Sequence, residues 1–461
     1  MDEAQEEWKA KRKQTYIAYC IVTFGLGLEY SLVFPSLWFY INDIIQADYP
    51  KLFYGSALSA YPLASIIGAF TIGRYVDRTR RAKQVLILLL ICEIVGNLLY
   101  SLYYSPWCPF FGRLLSGFGD VSNMVITGEI ARSYPKNQIT MKLSLVVMTF
   151  SCGFIMAPGA NILFGDVRVF VYNFWITYGN IPGLLMALVF TVILIVVTFF
   201  VHDISREFDL KQNQENGHTY EEESEMKNFD EVGDNEKSSL IEEGVEANSM
   251  KSNEKNHLQT LSLILKQPDL LLLLSFAFVA SYILFGFDTL LSLIGSRYFG
   301  FGVKVTSLIF IIDGGIYFVV LMLLGYASKR CTDYHAIVVS FSILFCGLAA
   351  IFVLSLQEVT NVVLKYSLLI VYLIAFSSTW TIEEVLSRSL FSKLVPSWCQ
   401  NYAEGVRRSV SSTAFIISGV TSSGLFDNLQ YLSLALILFS FTLLILFISR
   451  KRILVNPSPL F

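Results

Sequence analysis

Of the chain's 461 residues, 54% are hydrophobic, 15% aromatic and only 15% charged, whereas soluble domains carry about a quarter of their residues charged. That composition excludes an ordinary soluble enzyme. The formal charge of −3 is also uneven, because residues 202–258 hold 16 Asp/Glu against 6 Lys/Arg and the rest of the chain is therefore +7.

Apolar windows of about 20 residues, enough to cross a hydrocarbon core of roughly 30 Å, occur twelve times and predict an all-α polytopic membrane protein. In chain order the expected spans are 15–41, 52–76, 84–104, 107–131, 140–164 and 177–201, then 269–294, 302–326, 335–356, 364–386, 406–426 and 430–449. The eleventh is the most polar, with Ser409, Ser411, Ser412, Thr413, Ser418, Thr421, Ser422 and Ser423; small polar residues of this kind suit close helix packing in lipid. Residues 1–14 and 450–461 read as tails flanking two six-helix bundles, 15–201 and 269–449. The acidic segment 202–268 between them has too little apolar surface to offset the entropy of ordering and is expected to be largely disordered.

One set of loops and ends carries 21 Lys/Arg even without the acidic segment, and the other set carries five: Lys51, Arg168, Arg297, Lys304 and Lys365. The positive-inside rule then puts both termini and the linker in the cytosol. The charged start of the chain, without a short apolar region and cleavage site, is expected to carry no cleaved leader. Seven scattered cysteines without a CxxC predict no disulfide framework, and the four histidines show no metal spacing. No cofactor, metal or nucleic-acid partner is expected; the partners expected are the lipid bilayer and a small solute or ion. Without a Ser/His/Asp set or a phosphate loop, an enzyme is disfavoured. Trp38, Trp107 and Trp175 fall near span ends and read as interfacial anchors.

Between the second and third spans stand Gly73, Asp77, Arg78, Arg80, Arg81 and Lys83, a run that resembles the GxxxD(R/K)xG(R/K)(R/K) motif of the major facilitator superfamily, with Arg80 where a second Gly is usual. Gly73 permits close helix approach, and Asp77 presents a charge to the start of the eleventh span, which carries Arg407 and Arg408; these residues are candidates for a gating latch. In the fourth span Arg113, Gly117 and Gly119 resemble the RxxxG motif, and in the fifth Gly153, Ala157 and Pro158 resemble GxxxGP, with Ala157 replacing Gly. These glycines and Pro158 are read as packing elements, the last pair as a kink with or without a role in coupling. The second half keeps only Gly325 and the basic Lys329 and Arg330 of the loop motif.

Leu37-Trp38, Ala60-Tyr61-Pro62-Leu63, Gly96-Asn97-Leu98-Leu99-Tyr100 and Leu390-Phe391-Ser392-Lys393-Leu394-Val395 together look like the lysosomal major-facilitator branch linked to neuronal ceroid lipofuscinosis. The resemblance implies a twelve-helix fold of two pseudo-symmetric bundles, an endolysosomal membrane and movement of an anion such as chloride. Glu236, Leu240 and Ile241 in the linker match the ExxxL(L/I) pattern read by clathrin-adaptor sorting machinery, a pattern short enough to arise by chance.

Depth along each span ranks the solute candidates. Glu29 and Glu93 fall near the middle of the first and third spans and Asp313 near the middle of the eighth, while Arg113 lies about 9 Å into the fourth. The superfamily's first, fourth, seventh and tenth spans line its cavity, so Glu29, Arg113, Asp120 and Asp288 are the expected pathway residues, with Glu93 and Asp313 as charge partners within their bundles. Intramembrane charges are usually functional, although Glu29 and Arg113 are also consistent with a mutually neutralising structural pair. The expectation is a transporter or channel for a small solute, an anion by the resemblance; a proton-coupled organic-solute porter and a transport-inactive receptor or scaffold are the alternatives.

Overall fold

The structure, a computed structural model, describes residues 2–134, 136–204, 266–327, 332–356, 361–395 and 400–451. The first span is built from α1 (Asp2–Leu32), a short α2 (Phe34–Phe39) and a π turn over Tyr40–Ile45. Pro35 has no N–H for the helix ladder, and the chain breaks just before it. The carbonyl of Leu32 accepts instead from Asn161 Nδ2 at 2.8 Å and Ser36 Oγ at 3.2 Å, and that of Phe34 from Ser292 Oγ at 2.9 Å. A broken helix is tolerated in lipid when its freed carbonyls are bonded in this way.

There follow α3 (Pro50–Thr79), α4 (Ala82–Tyr100), α5 (Trp107–Gly119), α6 (Val121–Ser133), α7 (Lys136–Phe164) and α8 (Ile181–Phe200). The second half comprises α9 (Pro268–Phe299), α10 (Val303–Ala327), α11 (Asp333–Leu356), α12 (Val362–Leu394), α13 (Gln400–Gly424) and α14 (Leu429–Ser449). Among the described residues ten helical segments are long and apolar enough to cross a membrane. The fourth span falls outside that set because it is split at Asp120 into α5 and α6, and the eleventh, α13, because of its hydroxyls; the two complete the twelve-helix bundle.

Two expectations need correction. The sixth helix starts at Ile181 rather than 177, because residues 168–177 form an antiparallel hairpin of β1 (Arg168–Val171) and β2 (Phe174–Thr177), with Arg168 opposite Thr177. Its two-residue turn, Tyr172 and Asn173, has φ of 44° and 67°, the left-handed geometry that matches strand twist. Trp38 is not an interfacial anchor: it is buried, edge-on to Tyr54 at 5.8 Å, whereas Trp107 and Trp175 are exposed.

The two halves meet most closely at the end opposite the termini, here the distal end. Lys51 pairs with Asp427, which also takes Arg297 at 2.7 Å, and Lys304 pairs with Asp166. A Cβ at Gly55 on α3 would lie 2.2 Å from the Gly419 carbonyl oxygen on α13, so that crossing needs glycine. Apolar residues of 33–41 and 54–58, with Tyr100, belong to the apolar core of the second half, while most of the rest of the first half has a core of its own. At the terminal end a cavity of ≈ 280 Å³ lies between α3 and α6, lined by Phe70, Gly73, Val76, Met124, Gly128 and Arg132 among others.

Candidate functional site

Among the described residues, five carboxyl side chains and one guanidinium occupy the middle of the bundle. In the first half Arg113 on α5 places Nη1 3.4 Å from Glu29 Oε1 on α1, both buried. The same oxygen accepts from Asn97 Nδ2 on α4 at 3.1 Å, and Asn97 also bonds the Glu93 carbonyl at 3.0 Å. Beneath the guanidinium lies the ring of Tyr61 on α3, its centroid 4.1 Å away, within cation–π range. Glu93 turns its carboxyl towards Glu29 and takes no hydrogen bond from an N–H or hydroxyl among the described residues. Room for it exists because Gly119 has no side chain: a Cβ there would sit 2.3 Å from Glu93. Asp120, at the α5–α6 junction, accepts from Ser65 Oγ at 2.8 Å.

The second half contributes Asp288 on α9 and Asp313 on α10, which lie within electrostatic reach of each other. Ser377 on α12 donates to Asp313 Oδ1. Asp288 is 4% exposed, and the carbonyls on either side of it are held by tyrosines: Tyr54 donates to Thr289 O and Tyr372 to Phe287 O, both at 3.3 Å. Tyr30 on α1 lies within reach of Asp288, Asp120 and Arg113 alike, so the two sets of acids face one central space.

All six intramembrane charges singled out from the sequence therefore lie inside the bundle, Glu93 and Asp313 each beside the candidates of its own half. Glu93 joins the Glu29 and Arg113 cluster, and Asp313 joins Asp288 together with Ser377. Gly117 backs onto the Tyr61 carbonyl, and Gly153 onto the Phe24 carbonyl on α1, at 2.2 and 2.3 Å from where a Cβ would stand; Pro158 lies inside α7. Of the loop residues, Gly73 packs on Met124, Arg81 and Arg408 are exposed and Arg407 is buried. The side chains of Asp77 and Arg78 lie outside what is described, as do Glu236, Leu240 and Ile241. Sequence reasoning missed Asn97 and Tyr61 as site residues. Asn97 had a signal, since an amide one turn beyond Glu93 faces the same way; Tyr61 had none, since an aromatic ring in an apolar span reads as packing.

The Major Facilitator Superfamily profile matches residues 19–398. The class H tetracycline resistance protein of Pasteurella multocida is 21% identical over 201 residues, which are 44% of this chain and 48% of that protein. The class B tetracycline resistance protein of Escherichia coli is 27% identical over 138 residues, 30% and 34% of the two chains. The chain thus spans about half or less of the length of these curated relatives. Among solved structures, the nucleoside transporter NupG superposes with a TM-score of 0.64 at 14% identity, covering 95% of this chain and 99% of its own. A D-xylose-proton symporter does so with 0.64 at 11% identity, covering 96% and 98%; at these identities the likeness is one of fold.

Proposed function

The chain belongs to the major facilitator superfamily, and on that premise we propose that it is a proton-coupled porter of a small organic solute, working by alternating access between its two halves. It is a multi-pass membrane transporter; the proton and the class of solute are our reading. One observation carries that reading, the excess of acid inside the bundle: among the described residues Glu29, Glu93 and Asp120 share the interior of the first half with Arg113, itself engaged by Glu29, while in the second half no Lys or Arg bonds to Asp288 or Asp313. Charge buried in low dielectric needs a partner, and a proton is the smallest ligand that neutralises a carboxylate. Protonation of Glu29 would free the Arg113 fork and loosen the α1–α5 contact, which couples proton occupancy to the arrangement of the first half. The distal ion pairs between the halves fit a state closed at that face, and the Lys/Arg tally makes the opposite, terminal face cytosolic.

The test is purified protein in liposomes, with solute flux measured under imposed pH and voltage gradients. Glu29→Gln should flatten the dependence of flux on pH while leaving the protein folded. Unchanged pH dependence in that variant, or flux indifferent to the proton gradient in the native protein, would rule out the coupling.

A second reading keeps the anion. Arg113 Nε has no acceptor among the described residues, and the branch resemblance implies chloride movement in an endolysosomal membrane. Arg113→Ala abolishes chloride flux on that reading. Leu240→Ala with Ile241→Ala moves the protein towards the cell surface if the linker motif is its lysosomal address.

A further inference from the structure

A second set of acid and aromatic side chains lies in the C-terminal half. From it we infer that the solute is an organic cation, bound by the Asp313 carboxylate against the Trp380 ring. This names the solute class of the porter proposed above and rests on that reading.

Asp313 and Tyr317 are four residues apart on α10, and Ser377 and Trp380 three apart on α12, so each pair occupies one helix face. Ser377 donates to Asp313, and one turn further on the Tyr317 and Trp380 rings stack at 4.8 Å with 28° between planes. The lipid-facing side of α10 is marked by its exposed apolar residues Leu308, Ile312, Val319, Met322 and Leu323. At about 100° per residue, Asp313 and Tyr317 fall on the opposite side. Their partial exposure is therefore towards the interior cleft.

The first half supplies the template for what such a set holds. There a carboxylate, Glu29, and an aromatic face, Tyr61, embrace a cation that the protein provides, Arg113 at 3.4 and 4.1 Å. In the second half Asp313 and Trp380 repeat the acid and the ring. Among the described residues no Lys or Arg bonds to Asp313 or lies over the Trp380 ring. Asp313 Oδ1 accepts from the serine hydroxyl, and no donor to Oδ2 is found among the described residues. An ammonium group within about 6 Å of a Trp face gains from the ring quadrupole, more so when desolvated, and Asp288 adds a second negative charge behind it. An anion placed here would face two carboxylates.

The test uses the full chain in lipid nanodiscs and measures equilibrium binding of choline, of its uncharged isostere 3,3-dimethylbutan-1-ol, of tetraethylammonium and of chloride. Choline should bind at least about tenfold more tightly than the isostere, which differs from it only in charge. Asp313→Asn should remove that preference without lowering the melting temperature, and Trp380→Leu should weaken both cations several-fold while Trp380→Tyr restores part. Equal binding of choline and its isostere would overturn the inference, as would failure of both cations to bind to protein with a native melting transition. Proton uptake in liposomes separates the two readings. Cation binding without proton movement sinks the coupling and leaves the site; proton-coupled flux of a neutral solute or an anion, with no cation bound, does the reverse.

Discussion

Both halves carry carboxyl groups inside the bundle and treat them differently. In the first half the cation is built in: Arg113, buried on α5, lies between Glu29 and the Tyr61 ring, and Asn97 ties the acid to α4. In the second half Asp313 has, among the described residues, only the Ser377 hydroxyl, and the tyrosines beside Asp288 bond the carbonyls of its neighbours Phe287 and Thr289 rather than its carboxyl. A buried acid with its own cation is a joint that only a proton or a rearrangement of its helices releases, and stranding its cation partner by mutation is costly. A buried acid with none is free to take a proton or a charged solute, and its removal relieves the fold rather than injuring it.

The largest effect should come from breaking the joint. Arg113→Leu leaves Glu29 and Glu93 buried without a cation and should cost about 3–5 kcal/mol, the usual penalty for stranding one member of a buried pair. Adding Glu29→Gln should recover most of the loss, because the two residues are coupled. By contrast Asp313→Asn should leave the melting temperature in nanodiscs unchanged or raise it. Equal destabilisation by Arg113→Leu and Asp313→Asn would erase the distinction between the halves.

A gentler change sharpens the same point. Arg113→Lys keeps the charge but loses the planar fork and its stacking on Tyr61, for an expected loss of about 1–2 kcal/mol. Tyr61→Leu should cost a similar amount in the native protein and much less in the Arg113→Lys background. A double-mutant cycle that gave strictly additive losses would mean that ring and guanidinium do not interact.

The joint between the halves offers the next test. Gly55→Val pushes a side chain into the Gly419 carbonyl and should separate α3 from α13, raising by several-fold the labelling of Ser292→Cys from the distal side. Unaltered labelling would place the closure elsewhere. The smallest effect is expected at the rim, where Lys304 and Asp166 are 44% and 81% exposed. Asp166→Asn should cost less than about 1 kcal/mol and matter less still at high salt; a larger, salt-independent loss would show that this pair is better shielded than its exposure implies.

The amino-acid sequence by itself determined the number and order of the spans, the division into two halves and which residues stand at mid-depth. Hydropathy and helix rise are local quantities, and lipid forces every apolar segment into the same backbone solution. The polar α13 stayed legible because it too is local, a run of hydroxyls, whereas 107–131 reads as one unbroken span and its split at Asp120 emerges only in the fold. Only the tertiary structure decided the pairings. Glu29 and Arg113, 84 residues apart, stood open in the sequence as a neutralising pair, but nothing in either span indicates that α4 joins them through Asn97 or that Gly119 clears the space Glu93 occupies. The hairpin of residues 168–177 escaped because its Val, Phe and Trp read as the apolar lead into a span, while the left-handed turn that makes them a hairpin is a two-residue event. Trp38 went inside for the same reason that Arg113 found Tyr61: a side chain's neighbours are set by which helix face meets which, and helices joined by long stretches of chain leave that choice to packing.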